Sequence, residues 1–351
     1  EIVFDGFIHQ KDQVFQVQVM KEKTNVLGFE LYLIKVPGLL DRDNPYGYWD
    51  ESQQFLAFQH GALHWLSATG IRPDILHCHD YHTGLVPFMI NHCPEFRELS
   101  GVKTIGTIHN GEYQGQMRWE MLSYFPWVED GNSLGLIDWA GKINPLAAMI
   151  KCCNAFNAVS GGYLEELFQS FKGLEGLVRQ EYAKAYGIIN GIDTEVWNPK
   201  TDDFLDFNYD LRNAREGKRK NKADLCKEYG LNPDLPLFSF IGRFAGEKGA
   251  DLLPDIIIKS IQQTNGALNI MVLGSGDIAL ENRLKELDYT FVNFALDLGY
   301  KEYLSHKIYA SSDFLLMPSR VEPCGLNQMY AMRYGTIPIV RYIGGLRDTV
   351  K

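Results

Sequence analysis

The second half of the chain alternates short apolar runs with amphipathic segments. That rhythm restricts the fold more than any other feature of its 351 residues. PLFSFIG (236–242), ALNIMVLG (267–274), TFVNFAL (290–296), DFLLMPS (313–319) and TIPIV (336–340) have the length of strands and few polar positions. Between them lie GADLLPDIIIKSIQQT (249–264), DIALENRLKELD (277–288), KEYLSHKIYASS (301–312) and GLNQMYAMRYG (325–335), all with helical spacing. Strands apolar on both faces and joined by helices imply a parallel sheet covered on both sides. The first half keeps the rhythm more weakly: DILHCHD (74–80), KTIGTIHN (103–110), AFNAVSG (155–161) and YGIING (186–191) read as strands ending in polar or glycine residues. The stretch 200–227 is dense in charge and poor in apolar residues until Leu225, and reads as a surface segment. The expected architecture is α/β: two tandem Rossmann-like, doubly wound domains facing across a cleft, spanning 1–189 and 190–351.

The length suits two domains, and 22% charged residues is an ordinary globular content. No apolar run approaches the roughly 20 residues that span a bilayer, and no signal-peptide pattern is present. A net charge of −10 argues against nucleic acid as a partner. An anionic ligand would have to be held by a local basic cluster against that field. The six cysteines form no C-x-x-C pair, the usage of reduced thiols, so a cytoplasmic location is expected. The chain opens at Glu1 without Met and stops at Lys351 just after an apolar run; both natural ends are expected to be missing.

Ligands of open parallel sheets bind beyond the carboxyl ends of the strands, so polar residues there are the candidates: His77, His79, Asp80 and His82 after one strand, His109 and Asn110 after the next, and Asn190 after YGIING. IGRFAGEKG (241–249) puts Arg243 and Lys248 in a glycine-rich turn, where two cations and helix-start amides suit a diphosphate. The turn is not a P-loop, whose spacing it lacks. In VEPCGL (321–326), Pro323 suits a first helical turn and Gly325 leaves room for a ligand. Glu322 reads either as a helix-start acid favoured by the dipole or as an acceptor of sugar hydroxyls. Tyr300 could stack on a flat ring. HCHDYH (77–82) could instead ligate a divalent metal through His77, His79 and Asp80, although no further run of ligands follows at later strand ends.

Taken in order along the chain, HCHDYHTGL, TIHNGEYQG, GIINGIDTEVWNP, GRFAGEKGADLL and PSRVEPCGLNQMYAMRYGTIPIVRYIGGLRDTV resemble the signatures of the bacterial and plant starch/glycogen synthases, with YGYWDESQQFLAFQHGAL a weaker match. This resemblance implies the glycosyltransferase-B fold and metal-independent, retaining transfer of glucose from a nucleotide-glucose, nearer to the ADP-glucose than the UDP-glucose users, to the non-reducing end of an α-1,4-glucan. No cofactor or metal is expected. The resemblance would give the donor diphosphate to Arg243 and Lys248 and the base to Tyr300. Glu322 would lie near the donor glucose, with Cys324, Gly325 and Leu326 as neighbouring contacts. Asp80 and His109 would face the glucose from the first domain, and Asn190 would stand at the hinge side. The family's K-x-G-G-L loop and the last part of its second domain have no counterpart in these residues. Gly111 stands where Leu is usual, Gly161 and Gly162 where Pro-Thr is usual, and Glu247 where Gln is usual. Two other readings remain open at this level: a metal-dependent hydrolase built on His77, His79 and Asp80, and a non-catalytic glucan-binding relative.

Overall fold

The computed structural model describes residues 1–24 and 26–351. The chain divides into two compact units, one of Glu1–Val159 with Leu164–Gly187, the other of Ser160–Tyr163 with Ile188–Lys351. The early excursion Ser160–Tyr163 has a local cause. Ser160 Oγ donates to the Pro323 carbonyl at 2.6 Å, and the Gly162 amide donates to Asp348 Oδ2, also at 2.6 Å. A Cβ at Gly162 would run into the Gly344 carbonyl, which accounts for a glycine at that position in this chain.

The second unit is a five-stranded parallel sheet. Its strands are, in chain order, Leu237–Phe244, Asn269–Gly276, Phe294–Leu298, Phe314–Met317 and Ile337–Val340. In space the third, second, first, fourth and fifth lie side by side, the order of a nucleotide-binding Rossmann sheet. The apolar runs explain why it forms. Along Asn269–Gly276, Ile270 and Val272 enter one core with Leu253, Ile257 and Leu284. Met271 and Leu273 enter the opposite core with Leu225, Leu304 and Ile308. A strand buried on both faces has no polar side to alternate with. The helices Leu253–Gln263, Ile278–Thr290 and Glu302–Ser311 supply the covering layers.

The first unit carries a four-stranded parallel sheet, Ile75–His79, Lys103–Ile108, Ala155–Ala158 and Ala185–Gly187, adjacent in chain order. It also carries an antiparallel sheet, Ile2–Gln10, Gln13–Lys21 and Tyr32–Lys35, packed on the helix Glu51–Ala68. The sequence reading did not identify this antiparallel sheet.

Two expectations are corrected. The stretch 200–227 is not merely a charged surface segment, because it contains most of a fifteen-residue helix, Ala214–Glu228. That helix buries Asn221, Leu225 and Cys226, and partly buries the long side chain of Lys218. The helix expected over 325–335 is only Asn327–Arg333. Gly325, at φ +75° in the left-handed region, turns the chain before it, so Pro323 lies ahead of the helix and not in its first turn. Among the described residues no helix is long and apolar enough to cross a membrane.

Candidate functional site

In the second unit the strand order reverses between Leu237–Phe244 and Phe314–Met317. The loops that leave these two strands carry the charged residues singled out in the sequence. Lys248 Nζ donates to both carboxylate oxygens of Glu322 at 2.8 Å, and Ser319 Oγ donates to Glu322 Oε2 at 3.0 Å. Glu322 is 6% exposed. A buried carboxylate needs such partners, since desolvation would otherwise disfavour its charge. These contacts correct the helix-start reading of Glu322: the helix begins five residues later, and a lysine and a serine satisfy the acid. Ser319, which holds Glu322, was not identified from sequence although it lies three residues before it.

The loop carrying Glu322 is fixed by backbone. The Arg320 and Val321 amides donate to the Glu247 carbonyl at 2.7 and 3.2 Å, and the Arg320 guanidinium reaches Gly246 O and grips the Asp251 carboxylate through both nitrogens. The Glu322 carbonyl accepts from the Gly345 amide at 3.0 Å. A Cβ on Gly345 would run into the Cys324 backbone, so the 344–345 turn must be glycine to lie this close. Burial raises the pKa of the Cys324 thiol, against a backbone hydrogen bond from Asn190 that lowers it. Cys324 is therefore a buried neutral thiol with Asn190 beside it. Leu326 is partly exposed at the end of this loop.

Arg243 sits in register beside Ser275 at the carboxyl edge of the sheet, and its guanidinium is paired with Glu247. A cavity of about 250 Å³ opens there, lined by Arg243, Gly274, Ser275, Tyr300, Lys301 and Asn327 among others. Its floor is backbone: a Cβ on Gly274 would strike the Gly242 carbonyl and the Phe244 ring. Asn327 Nδ2 donates to the Ile241 carbonyl at 2.7 Å, and Lys301 is paired with Asp297 at 2.7 Å. The Tyr300 ring is almost fully exposed. The geometry thus puts Arg243 and Tyr300 on one cavity, and Lys248 with Glu322 on the adjoining loops.

In the first unit Asp80 and His109 come together at the ends of adjacent strands. Asp80 has φ +53°, unusual for a residue with a side chain. Its amide donates to the Thr107 carbonyl at 2.9 Å, and its Oδ1 accepts from the amides of His109 at 2.8 Å and Asn110 at 3.4 Å. His79 Nδ1 and His109 Nε2 lie 2.9 Å apart. A single N–H between them leaves at least one ring neutral. Burial, then the neighbouring His77 and His109, lower the pKa of His79. His77 is bonded through Nε2 to Thr107 Oγ1 at 2.7 Å. Among the described residues no group of three His, Cys, Asp or Glu side chains is arranged to hold a metal ion. At Gly111 a Cβ would collide with the Phe171 ring, a packing reason for glycine there.

Three adjoining cavities of about 360, 110 and 710 Å³ follow one another in the first unit. The first shares Glu51, Tyr81 and Gln116 with the second. The second shares Ser52, Gln116 and Met117 with the third, which ends at the exposed ring of Trp49. Exposed aromatic faces interleaved with carboxylates and amides suit a polyhydroxylated ligand.

Comparison with known proteins gives a consistent result. A starch synthase catalytic domain family matches residues 3–180, and the glycosyl transferases group 1 family matches 236–351. The chain is 49% identical to a glycogen synthase of Flavobacterium johnsoniae, over its full length and 74% of that protein. It is 35% identical to the glycogen synthase of Bacillus licheniformis over 92% of the chain and 68% of the relative, and 36% to that of Finegoldia magna over 92% and 69%. Among solved structures, the catalytic domain of starch synthase IV from Arabidopsis thaliana, bound to ADP and acarbose, superposes with a TM-score of 0.90 at 30% identity. That match covers the whole chain and 73% of the plant chain.

Proposed function

The chain belongs to the family of bacterial glycogen synthases and plant starch synthases, and on that premise we propose that its donor is ADP-glucose and its acceptor the non-reducing end of an α-1,4-glucan, with anomeric configuration retained. It is a hexosyltransferase, and glucosyl transfer is its reaction. The observation that carries the donor assignment is the Lys248–Glu322 pair beside Arg243, at the point where the strand order reverses. Doubly wound sheets bind nucleotides there. The base and ribose would occupy the 250 Å³ cavity with Tyr300 at its mouth. The diphosphate would take charge-assisted bonds from Arg243 and Lys248. Glu322, with Cys324, Gly325 and Leu326 following it, would lie by the glucose. Within the first unit Asp80 and His109 would contact sugar hydroxyls and the three cavities would take the glucan; Asn190 would be a supporting contact beside Cys324. That the Arabidopsis catalytic domain is described as bound to ADP supports ADP-glucose, rather than UDP-glucose, as the donor proposed here.

During transfer the bond from glucose C1 to the diphosphate oxygen breaks as the bond from C1 to the acceptor oxygen forms. The acceptor proton passes to the leaving diphosphate. Negative charge grows on that diphosphate in the transition state, so Arg243 and Lys248 bind it more strongly there than in the ground state, which is the condition for catalysis. The mechanism needs no metal and no nucleophilic side chain of this chain. Six free cysteines support the proposed cytoplasmic location.

The test is transfer from ADP-glucose to glycogen by the wild type, Arg243→Ala and Lys248→Ala. Each substitution is expected to lower the rate by about 10²–10³. Near-normal transfer by both would refute the diphosphate assignment. Glucan binding without release of ADP or UDP by the wild type would favour a non-catalytic relative.

A further inference from the structure

The turn that presents the diphosphate cations also presents an anion. Arg243 Nη2 is paired with the carboxylate of Glu247, four residues on. The Arg243 side chain is 68% exposed and that of Glu247 only 22%, so the acid is the better-anchored member. Its backbone cannot swing clear, because the Glu247 carbonyl holds the Arg320 and Val321 amides of the loop leading to Glu322. Both proposed diphosphate cations therefore face carboxylates, but the two pairs differ. Glu322 is buried and has Ser319 as a second donor besides Lys248. Glu247 is bonded to Arg243, a side chain that lines the 250 Å³ cavity.

We propose that Glu247 sets the affinity for the donor by standing in for its diphosphate: the carboxylate occupies Arg243 while the site is empty and must yield the guanidinium when a nucleoside diphosphate arrives. This rests on the assignment of Arg243 to the diphosphate made above. A diphosphate and a carboxylate sharing one guanidinium repel each other, and the fixed Glu247 backbone keeps its side chain, once released, within reach of the same turn. The ion pair itself is weak because its arginine is largely in solvent. The exchange is thus easy, and its effect falls on binding strength.

The experiment is calorimetric titration of ADP into the full chain as wild type, Glu247→Gln, Arg243→Ala and the double variant, with thermal melts to confirm folding. Glutamine has the shape of glutamate without its charge. Glu247→Gln is expected to tighten ADP by about three- to tenfold, by less at high salt, and the gain should vanish in the Arg243→Ala background. Unchanged or weaker ADP binding by Glu247→Gln would overturn the proposal, the acid then serving only to orient Arg243. An equal gain without Arg243 would also overturn it, leaving a general field effect. A wild type that binds no ADP would remove the donor-site assignment and this inference together. A wild type that binds ADP normally beside an unresponsive Glu247→Gln would remove the inference alone.

Discussion

Lys218 shows how far a residue's role can depart from its type. In sequence it is one cation among many in a charged stretch. In the structure its side chain is partly buried, and its ammonium donates to the carbonyls of Tyr309, Ala310 and Tyr334 at 3.2 Å each and to Thr336 Oγ1 at 2.8 Å. Burial pushes its pKa down to about 7, against acceptors that favour the proton. An unfolded lysine titrates near 10.4, so between about pH 7 and 10 the unfolded chain binds the extra proton. Stability then rises with pH across that window, while below about 7 the cost of burying the charge is present in full. Melting temperature followed from pH 7 to 9 should show this rise, and Lys218→Met should flatten the slope relative to the wild type. A similar hidden association links Asp202, His306 and Tyr334. His306 Nδ1 lies 2.7 Å from Asp202 Oδ2, Tyr334 donates to the same oxygen, and Trp197 stacks on His306 with ring centroids 3.8 Å apart. Nothing in their spacing announces a contact between residues 104 and 132 positions apart.

At the scale of elements, the strands were legible because strand burial on both faces leaves a pattern that needs no long-range information. PLFSFIG and ALNIMVLG became Leu237–Phe244 and Asn269–Gly276, displaced by a residue or two. The turns were less legible, and the most informative is 318–326. Its glycine at φ +75° separates Glu322 from the following helix, and a Cβ at Gly325 would strike the Gln328 side chain. Gln328 in turn donates to the Cys324 and Gly325 carbonyls at 3.0 Å, so the turn and the helix constrain each other. Gly325→Ala is expected to cost about 1–2 kcal/mol of stability from the left-handed backbone and to weaken ADP binding in the same titration. A variant with wild-type melting and wild-type ADP affinity would show that the turn tolerates a side chain. The N-terminal antiparallel sheet was missed for the opposite reason. Exposed Val3, Phe7 and Val14 share its outward positions with Asp5 and Gln16, so neither face reads as a continuous apolar run.

At the scale of the molecule, the donor assignment predicts linkage. A nucleotide that binds only the folded chain stabilises it by about 2.7 kcal/mol at one hundred times its dissociation constant. ADP should therefore raise the melting temperature, ADP-glucose likewise, and UDP less. Each shift should persist in excess chelator, and a shift abolished by chelator would contradict metal-independent binding. The parallel α/β class, the strand-end position of Asp80, His109, Arg243 and Glu322, and the family could all be read from the order of residues alone. These follow from local periodicity and from motifs contiguous in the chain. It took the folded chain to reveal that strand order reverses between the loops bearing Lys248 and Glu322, that these two residues pair, that Arg243 is held by Glu247, and that the Lys218 ammonium is enclosed by carbonyls. Those facts depend on which strands lie side by side and on what desolvation does to a charge once they do, and neither is encoded in the spacing of residues along one segment.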